Sequence, residues 1–324
     1  MNLQQLRFIQ AISDANLNIS RAAETLRTSQ PAISKQLKAL EDELGVSIFE
    51  RSGRHLRGIT PAGVDILLTA RVILERADAL KQIAMEHQDK GAGTLTIATT
   101  HTQSRYVLPP VIRMFIGQYP GVALSMHQGN PIDVADMAAR GEADFAIATE
   151  GLDTFDNVVM MPCYRWNHSV LIRRDHPLAQ TARASLEDLA RYPIVTYVDG
   201  FSGRSKLDLA FSNAGIVPRI VFTATDADVI KTYVRLGLGI GLISSLALEE
   251  DSDRDFVVLD GSHLFEWSLT NIGFRRSLFM REFMYGFMTL FAPHLSRACV
   301  DRFIAAPNAQ ARQQLARALV LPTL

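Results

Sequence analysis

The chain has 324 residues, 48% of them hydrophobic, with 33 Lys and Arg against 34 Asp and Glu for a formal net charge of -1 at pH 7. That content buries a sizeable core and divides into two or more domains, while the balanced charge excludes a uniformly basic polyanion binder and confines any basic surface to a local patch. Cys163 and Cys299 stand far apart, without the paired spacing of a zinc site or redox motif, and no uninterrupted apolar run approaches the roughly 20 residues that span a bilayer. A disulfide scaffold and a membrane partner are therefore excluded, and the protein reads as cytoplasmic, with no cofactor or metal site expected.

Residues 1–59 read as three helices and a hairpin. Leu6, Ile9 and Ile12, with Phe8 beside them, make one amphipathic helix, and Ser20 is placed to cap a second through Ala22, Ala23 and Leu26. "TSQPAISKQLKALE", residues 28–41, supplies the third. Ile33, Leu37 and Leu40 fall on one face, whereas Ser34, Lys35 and Lys38 point away from it. Thr28 or Ser29 caps this helix and Pro31 suits its first turn, where a missing N–H costs nothing. Only "RTSQ" separates helices two and three, the short polar turn of a helix-turn-helix whose second helix lies in the major groove of DNA. The hydroxyls and free amides of Thr28, Ser29 and the turn at Pro31 then meet phosphate. Gln30, Ser34 and Lys35 carry the groups for base edges or backbone, and Lys38 touches phosphate.

In "VSIFERSGRHLRGITPAG", Ile48 and Phe49, the turn residues Ser52 and Gly53, then Leu56 and Ile59 predict a short hairpin. Arg51, Arg54 and Arg57 crowd its tip and flanks. This basic wing supplies the local charge missing from the bulk count, with Arg51 and Arg54 as sequence-independent phosphate contacts. Thr60 and Pro61 then start a long helix over residues 60–90. Ile66, Ala70, Ile73, Ala77, Leu80 and Ala84 run along it at alternating four and three, a heptad seam that predicts pairing with a second copy; a helix docked on its own domain would show the same stripe.

From residue 91 strands and helices alternate. Strands are predicted at Thr94–Ala98, Val122–His127 and Ala143–Ala148, with helices around Arg105–Gln118 and Ile132–Arg140. Further strands follow at Ser169–Ile172, Ile194–Tyr197, Arg219–Thr223, Gly239–Ile243 and Phe256–Leu259. This implies largely parallel sheet in two α/β lobes with a cleft between them. Lobe I covers about 91–163 and, through a returning strand in "SLTNIGFRR", 268–292. Lobe II covers about 164–267, and helices fill 293–324, with Asn308 capping Ala309–Leu319. Anions bind where strands open into helix N-termini. Thr100, Thr102 and Gln103 occupy one such junction, Ser202 and Gly203 a second, and Thr149 and Glu150 close a third strand. If these loops converge, hydroxyls and amides hold a small anionic or zwitterionic ligand, with Glu150 as partner for a cationic or N–H group. Enzyme signatures are weak: "GFSGR" has Arg204 where a nucleophile elbow needs glycine, and "GLGIGLI" leads out of a helix, opposite to a dinucleotide fingerprint.

"AAETLRTSQPAISKQLKALEDELGVSIFERSGRHLRGITPAG" resembles the N-terminal winged helix-turn-helix of LysR-type transcriptional regulators. "TIATTHTQSRYVLP", "GEADFAIATE", "RIVFTATDADVIKTYVRLGLGIG" and "IGFRRS" are similar to the CysB and Cbl group, regulators of sulfur assimilation and cysteine synthesis. The resemblance implies a DNA-binding activator, usually a homotetramer, that contacts promoter DNA and RNA polymerase, with a C-terminal effector domain of the two-lobed periplasmic-binding-protein fold. It implies sulfate, O-acetylserine or N-acetylserine as effector, and Thr100, Thr102, Gln103 and Thr149 as matching ligand-loop residues. Tyr164, Trp166 and Tyr197 would line the cleft by the same likeness. The group carries threonine where this chain has Ser202, which keeps the hydroxyl and loses a methyl group. A solute-binding protein or enzyme of the same two-lobed fold would leave the first 90 residues unexplained, and a regulator answering to another small carboxylate is the nearer alternative.

Overall fold

A computed structural model describes residues 1–324 apart from Arg54 and Lys90, and gives the backbone but not the side chain of Asp153. The chain divides into two compact units, Met1–Gln88 and Asp89–Leu324.

In the first unit α1 (Leu3–Asp14), α2 (Ile19–Thr25) and α3 (Gln30–Leu44) enclose a core that includes Ile9, Ile12, Ala22, Ile33, Leu37 and Leu40. Each of the larger aliphatic side chains stabilises the fold by about 1.5–3 kcal/mol relative to exposure. Asn18, not Ser20, caps α2: its side chain accepts the N–H of Arg21 at 3.0 Å and leaves Ser20 inside the first turn. Ser29 caps α3, and Gly45 ends it in a left-handed conformation at φ 71°. The wing is an antiparallel pair, β1 (Phe49–Ser52) and β2 (His55–Ile59). It joins α4 (Pro61–Gln88) through Thr60, whose Oγ1 accepts the N–H of Gly63 at 2.9 Å. Gly63 is obligatory there, because a Cβ would fall 2.0 Å from the carbonyl oxygen of Ile48. The seam expected to pair copies is partly used within the unit: Ala70 is buried and Ile66 and Ile73 pack on the same core, since α4 lies against α1. Docking on a neighbouring helix and pairing with a second copy demand the same spacing, so the sequence could not separate them. Leu80, further along the seam, stays exposed, as do Val64, Leu68 and Val72 on another face of α4.

The second unit holds two five-stranded sheets. Its elements in chain order are β3 (Ala92–Thr99), α5 (Leu108–Gln118), β4 (Gly121–Gln128), α6 (Pro131–Arg140), β5 (Phe145–Ala148), β6 (Val158–Trp166) and β7 (His168–Arg173). There follow α7 (Leu186–Ala190), β8 (Ile194–Tyr197), α8 (Arg204–Asn213), β9 (Ile220–Ala224), α9 (Ala227–Arg235), β10 (Ile240–Ser244), β11 (Phe256–Asp260) and β12 (Ser268–Arg275). The chain closes with α10 (Glu282–Phe291), α11 (Arg297–Ala305) and α12 (Ala309–Arg317). Lobe I is the sheet β4-β3-β5-β12-β6 and lobe II the sheet β11-β7-β10-β8-β9. Both are mixed rather than largely parallel: β12 runs antiparallel to β5 and β6, and β7 antiparallel to β10 and β11. The crossing into lobe II falls at Asn167, three residues later than the sequence placed it, so Tyr164 and Trp166 belong to the lobe I sheet.

The helix read from Arg105 starts earlier, at His101, and carries a π turn over Gln103–Val107 before α5. Pro109 and Pro110 explain it, because neither has an N–H to give to the carbonyls of Arg105 and Tyr106 four residues back. Among the described residues no helix is long and apolar enough to cross a membrane. Both cysteines are buried and unpaired.

Candidate functional site

The polar face of α3 is open. Gln30, Pro31, Lys35 and Lys38 are exposed, and Thr28 and Ser34 half-buried. Ser29 Oγ is occupied as the cap, accepting the N–H of Ala32 at 3.3 Å. Gln30 Nε2 reaches Ser34 Oγ at 3.4 Å, a long contact readily exchanged for a base edge. Arg51 differs from the free phosphate contact expected of it. Its Nη2 donates to Glu41 Oε2 at 3.1 Å, and Glu41 Oε1 in turn accepts the N–H of Ile48 at 2.8 Å, so this pair ties the wing to α3. The expectation for Arg54 lies outside the described residues.

In the second unit Thr100, Thr102, Gln103, Thr149, Glu150, Trp166 and Ser202, together with Pro131, surround one cavity between the lobes. Thr100 to Gln103 come from the junction after β3, Thr149 and Glu150 from the end of β5, and Ser202 from the loop before α8. The cavity measures about 10 Å³, room for about one water. Its walls touch each other across the lobes: Thr102 Oγ1 and Ser202 Oγ are 3.3 Å apart. Among the described residues no lysine or arginine lines it. Burial holds the Glu150 carboxyl above its ordinary range, opposed by the N–H of Gly203 and the charge of Lys206, and its Oε2 is buried with no partner among the described residues.

Tyr164 and Tyr197 do not line the cavity and stand behind it. The Tyr164 hydroxyl donates to Gln103 Oε1, and Tyr197 Oη accepts the N–H of Ser244 at 3.1 Å. Burial pushes both phenols up, so they stay protonated. Two residues that the sequence did not single out hold the site. Thr270 on β12 is fully buried; its Oγ1 accepts from Gln103 Nε2 at 3.3 Å and Trp166 Nε1 at 3.1 Å, and lies 3.5 Å from Thr149 Oγ1. His168 Nε2 sits 2.9 Å from the carbonyl of Ser202. Burial, with the Lys206 charge adding to it, lowers this imidazole to about 4, against the pull of the Ser202 carbonyl. It is therefore neutral at pH 7, and because a carbonyl only accepts, Nε2 carries the proton. The loop it supports is strained: Ser202 has φ 45° and Gly203 φ 70°, where a Cβ would come within 2.8 Å of Ser268 Oγ. No local signal marks Thr270 or His168, since each reaches the site only through strand pairing.

At one end of the cleft the lobes are also linked by charge. Arg105 donates twice to Glu249, each at 3.1 Å, and the Tyr106 hydroxyl to Asp228 at 2.6 Å. His101, Asp226 and Asp228 approach within 4.8 Å, a grouping that sequence spacing concealed. Asp228 is already bonded by Tyr106, and Arg105 lies 3.9 Å away, which makes this an ionic contact between lobes.

Residues 3–64 match the model for bacterial regulatory helix-turn-helix proteins of the lysR family, and residues 88–293 match the LysR substrate binding domain. The chain belongs to the LysR family. It is 52% identical over 302 residues to the HTH-type transcriptional regulator CysB of Haemophilus influenzae, covering 93% of each chain. It is 47% identical to the regulator SsuR of Burkholderia cenocepacia, over 92% of this chain and 97% of that one. The crystal structure of the cofactor-binding domain of the Cbl transcriptional regulator superposes with a TM-score of 0.64 at 42% identity, covering 66% of this chain and 93% of that one. These LysR relatives are transcriptional regulators, not enzymes. Like other LysR proteins, this chain binds promoter DNA through its helix-turn-helix and a small effector in its substrate-binding domain.

Proposed function

We propose that the chain is an activator of sulfur-assimilation and cysteine-synthesis genes whose operator binding is set by sulfate, O-acetylserine or N-acetylserine held between its lobes. The observation that carries this reading is the chemistry of the cavity: four hydroxyls, one amide and a carboxyl with one buried oxygen left over, without a lysine or arginine among the described lining residues. Neutral donors at a helix start suit a small anion that must be released again. Glu150 suits two ligand states. Protonated, it donates to an anion's oxygen; ionised, it accepts the ammonium or amide N–H of an acetylserine. The likeness to CysB, SsuR and the Cbl domain supports the same pathway.

With about 10 Å³ free, an effector enters only if the lobes part and the Thr102–Ser202 contact breaks. The effector therefore binds the open arrangement better and shifts the population toward it. Pairing of α4 with a second copy through the part of the seam not used within the unit, Ala77, Leu80 and Ala84, and a tetramer built from such pairs, belong to this reading, as does contact with RNA polymerase. Calorimetric titration of sulfate, O-acetylserine, N-acetylserine and benzoate into the purified chain tests it. Saturable heat from at least one sulfur-pathway compound, reduced about tenfold or more by Thr102→Ala with Ser202→Ala, supports the reading, since two lost hydroxyl contacts amount to about 1.4 kcal/mol or more. Heat from benzoate alone would move the protein to another pathway.

A further inference from the structure

Lobe I carries a second cavity, of about 570 Å³, between β6 and β12 and the segment formed by α12 and the residues after it. It shares no lining residue with the cavity between the lobes. Its size lies within the roughly 300–1,000 Å³ usual for small-molecule pockets. Phe155, Met160, Leu269 and Leu321 give it apolar walls. The roof is fixed in place by the chain end. Arg165 on β6 donates its N–H to the carbonyl of Pro322 at 3.0 Å and accepts that of Leu324 at 3.1 Å, while its Nε donates to Thr323 Oγ1 at 2.9 Å.

Arg312, on α12, lines this cavity, and its Nη1 is buried without an acceptor among the described residues. Burial and the nearby Arg276 charge hold the guanidinium below its ordinary range, with Asp156 opposing them. Arg312 is half-buried, and a guanidinium nitrogen shut off from water with no acceptor calls for a carboxylate, whose planar pair of oxygens matches the fork of donors. Asp156 and Arg317 also line the cavity, so with Arg312 its charged groups sum to one positive charge, which suits a monoanion better than a dianion such as sulfate.

We propose that this cavity is a second ligand site of the regulator, taking a monocarboxylate with a compact apolar body, its acid group on Arg312 and its body against Phe155, Met160, Leu269 and Leu321. Occupancy adds contacts between α12 and the sheet, so the ligand tightens the C-terminal segment on β6 independently of the effector between the lobes.

Hexanoate is the probe, titrated into the full chain by calorimetry beside 1-hexanol and hexylammonium. Saturable hexanoate binding, at least tenfold tighter than that of 1-hexanol and absent for hexylammonium, is the expected result. Arg312→Gln should weaken hexanoate at least tenfold, and Ala316→Trp, which fills the cavity from its roof, should abolish binding. Thr149→Ala, in the other cavity, should leave it unchanged. Because α12 buries no residue, Arg312→Gln is expected to keep the parent's melting temperature, which a thermal melt checks. Absence of saturable hexanoate binding, equal affinity for hexanoate and 1-hexanol, or loss on Thr149→Ala but not on Arg312→Gln would each overturn the proposal.

Discussion

Replacing Thr270 by valine removes one hydroxyl and keeps the shape of the side chain. In the parent that oxygen accepts from Gln103 Nε2 at 3.3 Å and from Trp166 Nε1 at 3.1 Å, in a position fully closed to water. Valine leaves both donors buried without an acceptor. Each such loss costs about 1–3 kcal/mol, and because both bonds are on the long side the total falls near the low end, roughly 2–4 kcal/mol. Urea unfolding followed by far-ultraviolet circular dichroism reads this as a lower midpoint with an unchanged slope. Gln103 also loses one of its two anchors, the other being the Tyr164 hydroxyl, so effector affinity should fall about tenfold, the equivalent of about 1.4 kcal/mol. A stability change under about 0.5 kcal/mol, the range of an ordinary surface substitution, would refute the assignment of Thr270 as the hub beneath the cavity.

His168 makes stability depend on pH. Its native value, about 4, is depressed from 6.5, so above 6.5 neither state binds the proton, and as pH falls from 6.5 toward 4 only the unfolded chain takes it up. The native state should lose about 3 kcal/mol over that window, and urea titrations at pH 7 and pH 4.5 should show a shallower loss for His168→Asn; equal losses would contradict the burial argument. Gly203→Ala forces a side chain into a left-handed position against Ser268 and His168, and thermal melts should register about 1–2 kcal/mol of destabilisation. On the head, Lys38→Ala should weaken all duplexes alike and reduce the salt slope by about 1, whereas Gln30→Ala should cost about 1–3 kcal/mol on the operator alone. Gel retardation across salt concentrations separates the two, and identical losses on every sequence would remove Gln30 from base readout.

The head was legible because its signals are local. Ile33, Leu37 and Leu40 at helical spacing, a cap before Pro31, and glycine at the hairpin turn each act within a few residues. Asn18 and Ser20 both qualify as caps, and which one serves depends on where the preceding turn releases the chain. Strand β6 escaped notice because "VVMMPCYRW" is buried at most positions and shows no alternation; its Pro162 is tolerated because β6 lies at the end of the sheet order. The loops around the cavity could be read one by one as strand ends opening into helices. Their meeting, with Thr102 against Ser202 a hundred positions later, is set by sheet order alone, and so is the placing of Thr270 beneath Gln103.

The central claim is that a small sulfur-pathway ligand in the hydroxyl-lined cavity alters how a LysR regulator holds its operator. Fluorescence anisotropy of a labelled fragment of the gene's own upstream DNA, titrated with the chain at increasing sulfate, O-acetylserine or N-acetylserine, tests it most directly. The account predicts a ligand-dependent displacement of the DNA-binding midpoint that disappears in the Thr102→Ala, Ser202→Ala double variant while that variant still binds the fragment without ligand. A midpoint indifferent to all three compounds, or displaced equally in parent and variant, would contradict it.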